Sequence, residues 1–190
     1  MAEAWVLMAQ GFEEAEFAVI VDILRRAGVN VKTVSLNSTL DPIMGSRDIK
    51  MIPDTTIDEV LKEECDLVVL PGGVEGSFLL GEDPRVLQLT RKMVEENRFV
   101  AAMCASSTVL IKAGLLNGRH ATSHPGVELE MVGAVYHRHR VVVDGHIITS
   151  RAPGTTFDFA FKLVEMLLGR EKVWEVNKGV LALLPDQLPE

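Results

Sequence analysis

The stretch "AWVLMAQGFEEAEFAVIVDILRRAGVNVKTVSL", residues Ala4 to Leu36, decides the fold. Its opening, Ala4–Gln10, is a short apolar run, the pattern of a strand buried on both faces. In the "GFEEAEFAVIVDILRRAG" that follows, Phe17, Ile20, Val21 and Leu24 recur at helical spacing. Gly28 stands where a glycine ends a helix. Arg25 and Arg26 fall in the last turn, where the helix dipole favours cations. Val29–Leu36 is strand-like again. Strand, helix and strand within about thirty residues form a βαβ unit, which predicts a parallel sheet covered by helices.

The rest of the chain extends that unit. "LDPIMGSRDIKMIPD" holds two prolines and a glycine and predicts a loop with short strand pieces. "TTIDEVLKEE" predicts a short helix capped by Thr55 or Thr56. Asp66–Leu70 is a buried strand that ends in Pro71-Gly72-Gly73. A helix from about Pro84 to Glu96, a strand Phe99–Met103 and a helix beginning after Cys104 follow. "RVVVDGHIITS" reads as two β arms around Asp144-Gly145, a hairpin signal. In "PGTTFDFAFKLVEMLLG", Phe157, Phe161, Val164 and Leu168 line one helical face, a threonine caps the start and Gly169 closes the end. No repeat, low-complexity segment or linker interrupts residues 1–190. The expectation is one domain: an α/β, flavodoxin-like three-layer α/β/α sandwich with a mostly parallel central sheet.

Composition narrows the function. Apolar residues make up 47% of the 190 and aromatics only 5%, so aliphatic packing must build the core. A net charge of −8 argues against nucleic acid or an acidic membrane surface as partner. Two cysteines, Cys65 and Cys104, are no disulfide framework and suit a reducing, cytoplasmic setting. The N-terminus lacks the basic region of a signal peptide, and no run approaches the roughly 20 apolar residues of a membrane span.

Ligands of open parallel sheets bind beyond the carboxyl ends of the strands. Gln10–Glu16, Pro71–Gly73 and Cys104–Ser107 all follow strands, so they should converge. Cys104 sits at a strand-to-helix turn among small residues (Ala102, Ala105, Ser106), the layout of a nucleophile elbow. Free N–H groups at the helix start would stabilise its thiolate. A buried cysteine that merely packs is the alternative, and that is the expectation for Cys65. Glu16 lies in the first turn of the first helix beside Glu13 and Glu14. Buried against Cys104, its carboxyl would hold a proton, donate a hydrogen bond to the thiolate and serve as a proton shuttle, but spacing does not choose among the three. His124, in "ATSHPGVE", is either a base for Cys104 or the start of a helix with Pro125 at its first position. Gly72 and Gly73 either offer N–H groups to an oxyanion or make only a tight turn. His137 and His139 share a strand face without an evident third ligand, so no metal is expected.

"GFEEAE", "SRDI", "LPGG", "AAMCAS", "SHP" and "TSRAPGTTFDFA" occur in that order, and with them the chain resembles the ThiJ/PfpI superfamily, most closely its DJ-one branch. The resemblance covers essentially the whole chain and implies a homodimer. It implies that Cys104 is a reactive, oxidisable cysteine, that Glu16 is its protonated neighbour and that His124 lies nearby. It implies oxyanion amides at Gly73 and Ala105, and places Arg26 and Arg47 near the dimer interface and site. The implied activity is that of a glyoxalase or protein deglycase. Its partner is a small 2-oxoaldehyde such as methylglyoxal, or a glycated protein, and no glutathione, metal or other cofactor is required. A redox-sensing stress protein or chaperone is the alternative, and a cysteine peptidase or amidotransferase relative a third reading. No acid follows His124 to orient it, which weakens the third. Cys104-Ala105-Ser106-Ser107 replaces the Cys-Ala-Gly-Pro common in animal members. Two hydroxyls are therefore expected at the pocket rim, where they would alter substrate preference. Gly45 stands where some members carry a further cysteine.

Overall fold

The computed structural model describes residues 1–182. In chain order it contains β1 (Glu3–Met8), α1 (Glu14–Arg26), β2 (Asn30–Ser35), β3 (Ile43–Met44), β4 (Lys50–Met51), β5 (Thr55–Thr56) and α2 (Ile57–Val60). β6 (Leu67–Leu70), α3 (Val74–Glu82), α4 (Pro84–Glu95), β7 (Phe99–Met103), α5 (Ser107–Lys112) and β8 (His120–Ala121) follow. The last are β9 (Val135–Tyr136), β10 (Val141–Asp144), β11 (Ile147–Ser150), α6 (Thr156–Leu168) and α7 (Arg170–Val180).

Seven strands form the central sheet in the order β10-β11-β7-β6-β1-β2-β5. Every pairing in it is parallel except β10 with β11, so the architecture is the expected mixed α/β, flavodoxin-like one. Side chains alternate along each strand, so a strand covered on both faces must be apolar at every position. In β1, Ala4, Val6 and Met8 face a core shared with α1, α6 and α7. Trp5 and Leu7 face the opposite core, shared with α2, α3, α4 and α5. β6 and β7 divide their residues in the same way.

Several local expectations meet a correction. Helices α3 and α7 are not evident in the sequence. α3 carries Gly76 and Gly81 and no apolar stripe; a Cβ at Gly76 would sit 3.0 Å from the Phe12 backbone, so close approach selects glycine there. α7 is largely polar and follows α6 across Gly169 alone. Thr56 and Thr155 occupy N-cap positions without making a side-chain capping bond; the Thr155 hydroxyl instead takes the N–H groups of Arg151 and Ala152. On α6, Phe161 and Val164 are buried as expected, together with Phe159 and Leu163, while Phe157 and Leu168 are exposed. Among the described residues no helix is long and apolar enough to cross a membrane.

Candidate functional site

Strands β7, β6 and β1 are neighbours, and their carboxyl ends deliver Cys104, Pro71–Gly73 and Gly11–Glu13 to one edge of the sheet. The chain order reverses direction between β1 and β6, the topological switch point at which open α/β sheets bind ligands. Cys104 follows β7 directly and has φ +60°, the left-handed region that a residue with a Cβ occupies at a cost of about 1–3 kcal/mol. The turn Cys104–Ser106 then runs straight into α5. This is the sharp elbow expected from the small residues around the cysteine.

Three glutamates on one turn do three different things. The Glu13 carboxylate accepts from the Ser46 hydroxyl at 2.9 Å. Glu14 accepts from the Arg47 N–H at 2.5 Å, the Ile49 N–H at 3.3 Å and the Ser46 hydroxyl at 3.2 Å, which fastens the loop joining β3 to β4. Burial pushes the Glu14 carboxyl up, but these donors outweigh it and hold the group below its usual range. Glu16 alone turns inward, is wholly buried, and accepts the Gly72 N–H on Oε2 at 2.8 Å. Gly72 has to be glycine, because a Cβ would lie 2.5 Å from both Glu16 Oε2 and Cys104 Cβ.

Burial pushes the Glu16 carboxyl up to about 7, against the opposing Gly72 N–H. The Cys104 thiol is also pushed up, to about 12, first by burial and then by the charge of an ionised Glu16. The short helix after Cys104 does not by itself supply a thiolate, which corrects the expectation drawn from the helix dipole. The two groups titrate as a unit that loses its first proton near 7 and holds one proton above that. The surroundings favour placing that proton on the carboxyl. The N–H groups of Gly73 and Ala105 both point at the sulfur. Glu16 has one N–H, and its Oε1 has no nitrogen or oxygen partner among the described residues. A buried carboxylate with one N–H donor and otherwise only the weak S–H donor of Cys104 is the costlier anion. With Glu16 protonated, the repulsion that raises the thiol is gone and the carboxyl O–H donates to the sulfur.

The pair opens on a cavity of about 690 Å³, lined by Cys104, Gly73, Ala105, His124, Arg47 and Glu75, among others. His124 is the N-cap of the short turn Pro125–Glu130, and its Nδ1 accepts the Gly126 N–H at 3.0 Å. The lone pair on that nitrogen is therefore occupied, and among the described residues no carboxylate bonds the ring. Arg26 lies elsewhere: it ends α1, paired with Asp22 at 2.7 Å, about 15 Å further along the helix axis than Glu16. His120 joins His137 and His139 in a stack with ring centroids 4.9 and 5.4 Å apart, a third imidazole that sequence spacing did not reveal. Among the described residues, no three His, Cys, Asp or Glu side chains are grouped to hold a metal ion. Cys65 is buried against Met93, its thiol pushed well up by that burial.

A family model described as the DJ-1/PfpI family matches residues 2–166. The chain belongs to the DJ-1/PfpI family. Protein dj-1beta of Drosophila melanogaster is 43% identical over 180 residues, covering 94% of this chain and 96% of that protein. The crystal structure of Drosophila melanogaster DJ-1beta superposes with a TM-score of 0.93 at 42% identity, covering 96% of this chain and 99% of that one. A Caenorhabditis elegans relative named glutathione-independent glyoxalase DJR-1.2 is 34% identical over 169 residues, covering 88% of this chain and 89% of that protein.

Within this DJ-1/PfpI chain the two serines after Ala105 need a correction. Neither reaches the pocket rim, because both are fully buried and turned away from the cavity. The Ser106 hydroxyl donates to the Pro71 carbonyl at 2.5 Å and shares a 2.8 Å bond with Ser77. The Ser107 hydroxyl donates to the Thr122 carbonyl at 2.9 Å. Gly45 lies against the Glu14 carboxylate, which fills the space a side chain would need. Sequence reading missed Ser77 and Glu75, since both stand on the unrecognised α3.

Proposed function

We propose that the protein is a cysteine-dependent, glutathione-independent glyoxalase or deglycase-like enzyme acting on 2-oxoaldehydes of the methylglyoxal class. The observation that carries this reading is the fully buried Glu16 carboxyl, pushed up to about 7, set behind a Cys104 that lines an open cavity. A relative named for the same activity supports it. The Cys104 thiolate adds to the aldehyde carbon, and the new alkoxide takes the Glu16 proton, giving a hemithioacetal. The Gly73 and Ala105 N–H groups hold the negative oxygen while it lasts. The Glu16 carboxylate then removes the proton from the former aldehyde carbon and returns it to the neighbouring carbon, while the hemithioacetal hydroxyl proton passes to the ketone oxygen. The first carbon is thereby oxidised to a thioester and the second reduced to an alcohol, with no external oxidant. Water cleaves the thioester to the hydroxy acid and frees the sulfur. Proton transfer by a placed side chain contributes about 10²–10⁴-fold. Cys104→Ser should abolish lactate formation from methylglyoxal, and an undiminished rate would refute the proposal. Parallel assays on free methylglyoxal and on its early adduct with a peptide amine separate glyoxalase from deglycase chemistry.

One observation favours a second reading, redox sensing. The sulfur is only partly buried and two N–H groups point at it, a setting that suits a sulfinate as well as an alkoxide. Mild peroxide followed by mass spectrometry tests it: selective gain of two oxygens at Cys104 with negligible turnover would favour sensing. Amide hydrolysis has less support, because Nδ1 of His124 accepts a backbone N–H and has no carboxylate partner among the described residues.

A further inference from the structure

Behind the elbow, on the side away from the cavity, Ser77 of α3 and Ser106 of the turn after β7 face each other, and both are buried. Each hydroxyl has one proton to give. Ser106 gives its proton to the Pro71 carbonyl at 2.5 Å, so in the 2.8 Å contact between the serines Ser77 is the donor and Ser106 the acceptor. The next carbonyls of the same loop are held too. Gly72 O accepts the Glu13 N–H at 2.9 Å, and Gly73 O accepts the Ser77 N–H at 2.8 Å. With the carbonyls fixed, the intervening N–H groups have set directions: Gly72 N–H to Glu16 Oε2, and Gly73 N–H to the Cys104 sulfur. Two adjacent amides thus serve opposite members of the proton-sharing pair.

We propose that Ser106 and Ser77 are positioning residues whose hydroxyl chain orients the Pro71–Gly73 peptides and so determines how the proton is divided between Glu16 and Cys104. The inference rests on the proton-sharing reading of the site, but not on any substrate. The Pro71–Gly72 peptide is the hinge point. Its carbonyl is tied only by Ser106 among the described hydrogen bonds, and its N–H is the donor to Glu16. Without the Ser106 hydroxyl this peptide is free to rotate and Glu16 loses its Gly72 N–H, while the Glu13 N–H still holds Gly72 O and so keeps the Gly73 N–H on the sulfur. The other charged or titratable groups around the pair are Glu13 before α1, Arg47, Glu75 on α3, His124 and Glu130, all lining the same cavity. None of them touches the serine pair.

The test is the pH profile of Cys104 alkylation by iodoacetamide in Ser106→Ala, Ser77→Ala and Ser107→Ala, with melting temperatures measured alongside. Ser107 is the control: an equally buried hydroxyl on the same turn that bonds the Thr122 carbonyl instead of the loop. The expected result is an alkylation rate at pH 8 up to about tenfold higher in Ser106→Ala, because the carboxylate loses one charge-assisted bond and the proton moves toward Glu16, and a smaller gain in Ser77→Ala. Ser107→Ala should melt earlier with its profile unmoved. An unmoved profile in Ser106→Ala overturns the proposal. Should that variant fail to fold, Ser77→Ala decides, and wild-type alkylation there overturns it. Because alkylation needs no aldehyde turnover, a protein without glyoxalase activity would still give a reading, so this inference and the proposed activity fail separately.

Discussion

Glu16 and Cys104 are two weak acids placed where neither can ionise alone without cost, so each is intelligible only through the other. If the anion of the pair is the sulfur, Cys104 alkylation should rise with a midpoint at or below about 7, where the pair loses its first proton. If it is the carboxylate, the sulfur stays a thiol until about 12 and the reagent finds little to attack at neutral pH. Stability carries the same information. Folded Glu16 keeps its proton to about 7, against 4.5 for the ordinary carboxyl. Between those values the folded chain binds more protons than the unfolded one, so stability falls as pH rises through that window. The proton count is the same whichever atom holds the remaining proton. The shift amounts to roughly 3 kcal/mol. Denaturant unfolding of wild type and Glu16→Gln at pH 5 and pH 8 should show the fall in wild type and its absence in the variant.

Among the elements, the βαβ unit and the buried strands were legible because both faces of the sheet are covered, which makes every strand position apolar. α3 and α7 were not, since one is built on glycines that accommodate close backbone approach and the other is mostly polar. The small loop joining β3 to β4 has its own latch, the Glu14 carboxylate, with donors from Ser46, Arg47 and Ile49. Glu14→Ala should free this loop. Hydrogen exchange at Arg47 and Ile49 should quicken, and KM should rise more than kcat falls, because Arg47 lines the cavity while Glu14 itself does not. An exchange rate unchanged at those two amides would count against the latch. Hydrogen bonds to charged groups contribute about 1.5–3 kcal/mol each, so the loss should be visible locally without unfolding the sheet.

At the scale of the whole molecule, Ile49 and Ile52 stand exposed on and beside the same β3–β4 hairpin. Paired apolar residues on a surface otherwise rich in acids are a candidate contact for a second copy. Sedimentation should give twice the 20.9 kDa chain mass, and Ile52→Asp should shift the population to single chains. A wild-type mass of one chain would count against the homodimer that the resemblance implies.

The sequence by itself determined the layers, the three loops that meet, and the cysteine at the elbow, because each depends on periodicity or on residues next to one another. It identified the DJ-1/PfpI resemblance on six short motifs. It left the three glutamates equivalent, read Ser106 and Ser107 as rim residues and missed the third histidine of the surface stack. Only the tertiary structure decided these, and for one physical reason: each depends on which way a side chain points from its turn and what arrives from a distant segment to meet it. Gly72 reaching Glu16 across 56 positions of chain is the clearest case. The approach of that one backbone N–H, which no spacing rule encodes, separates Glu16 from Glu13 and Glu14.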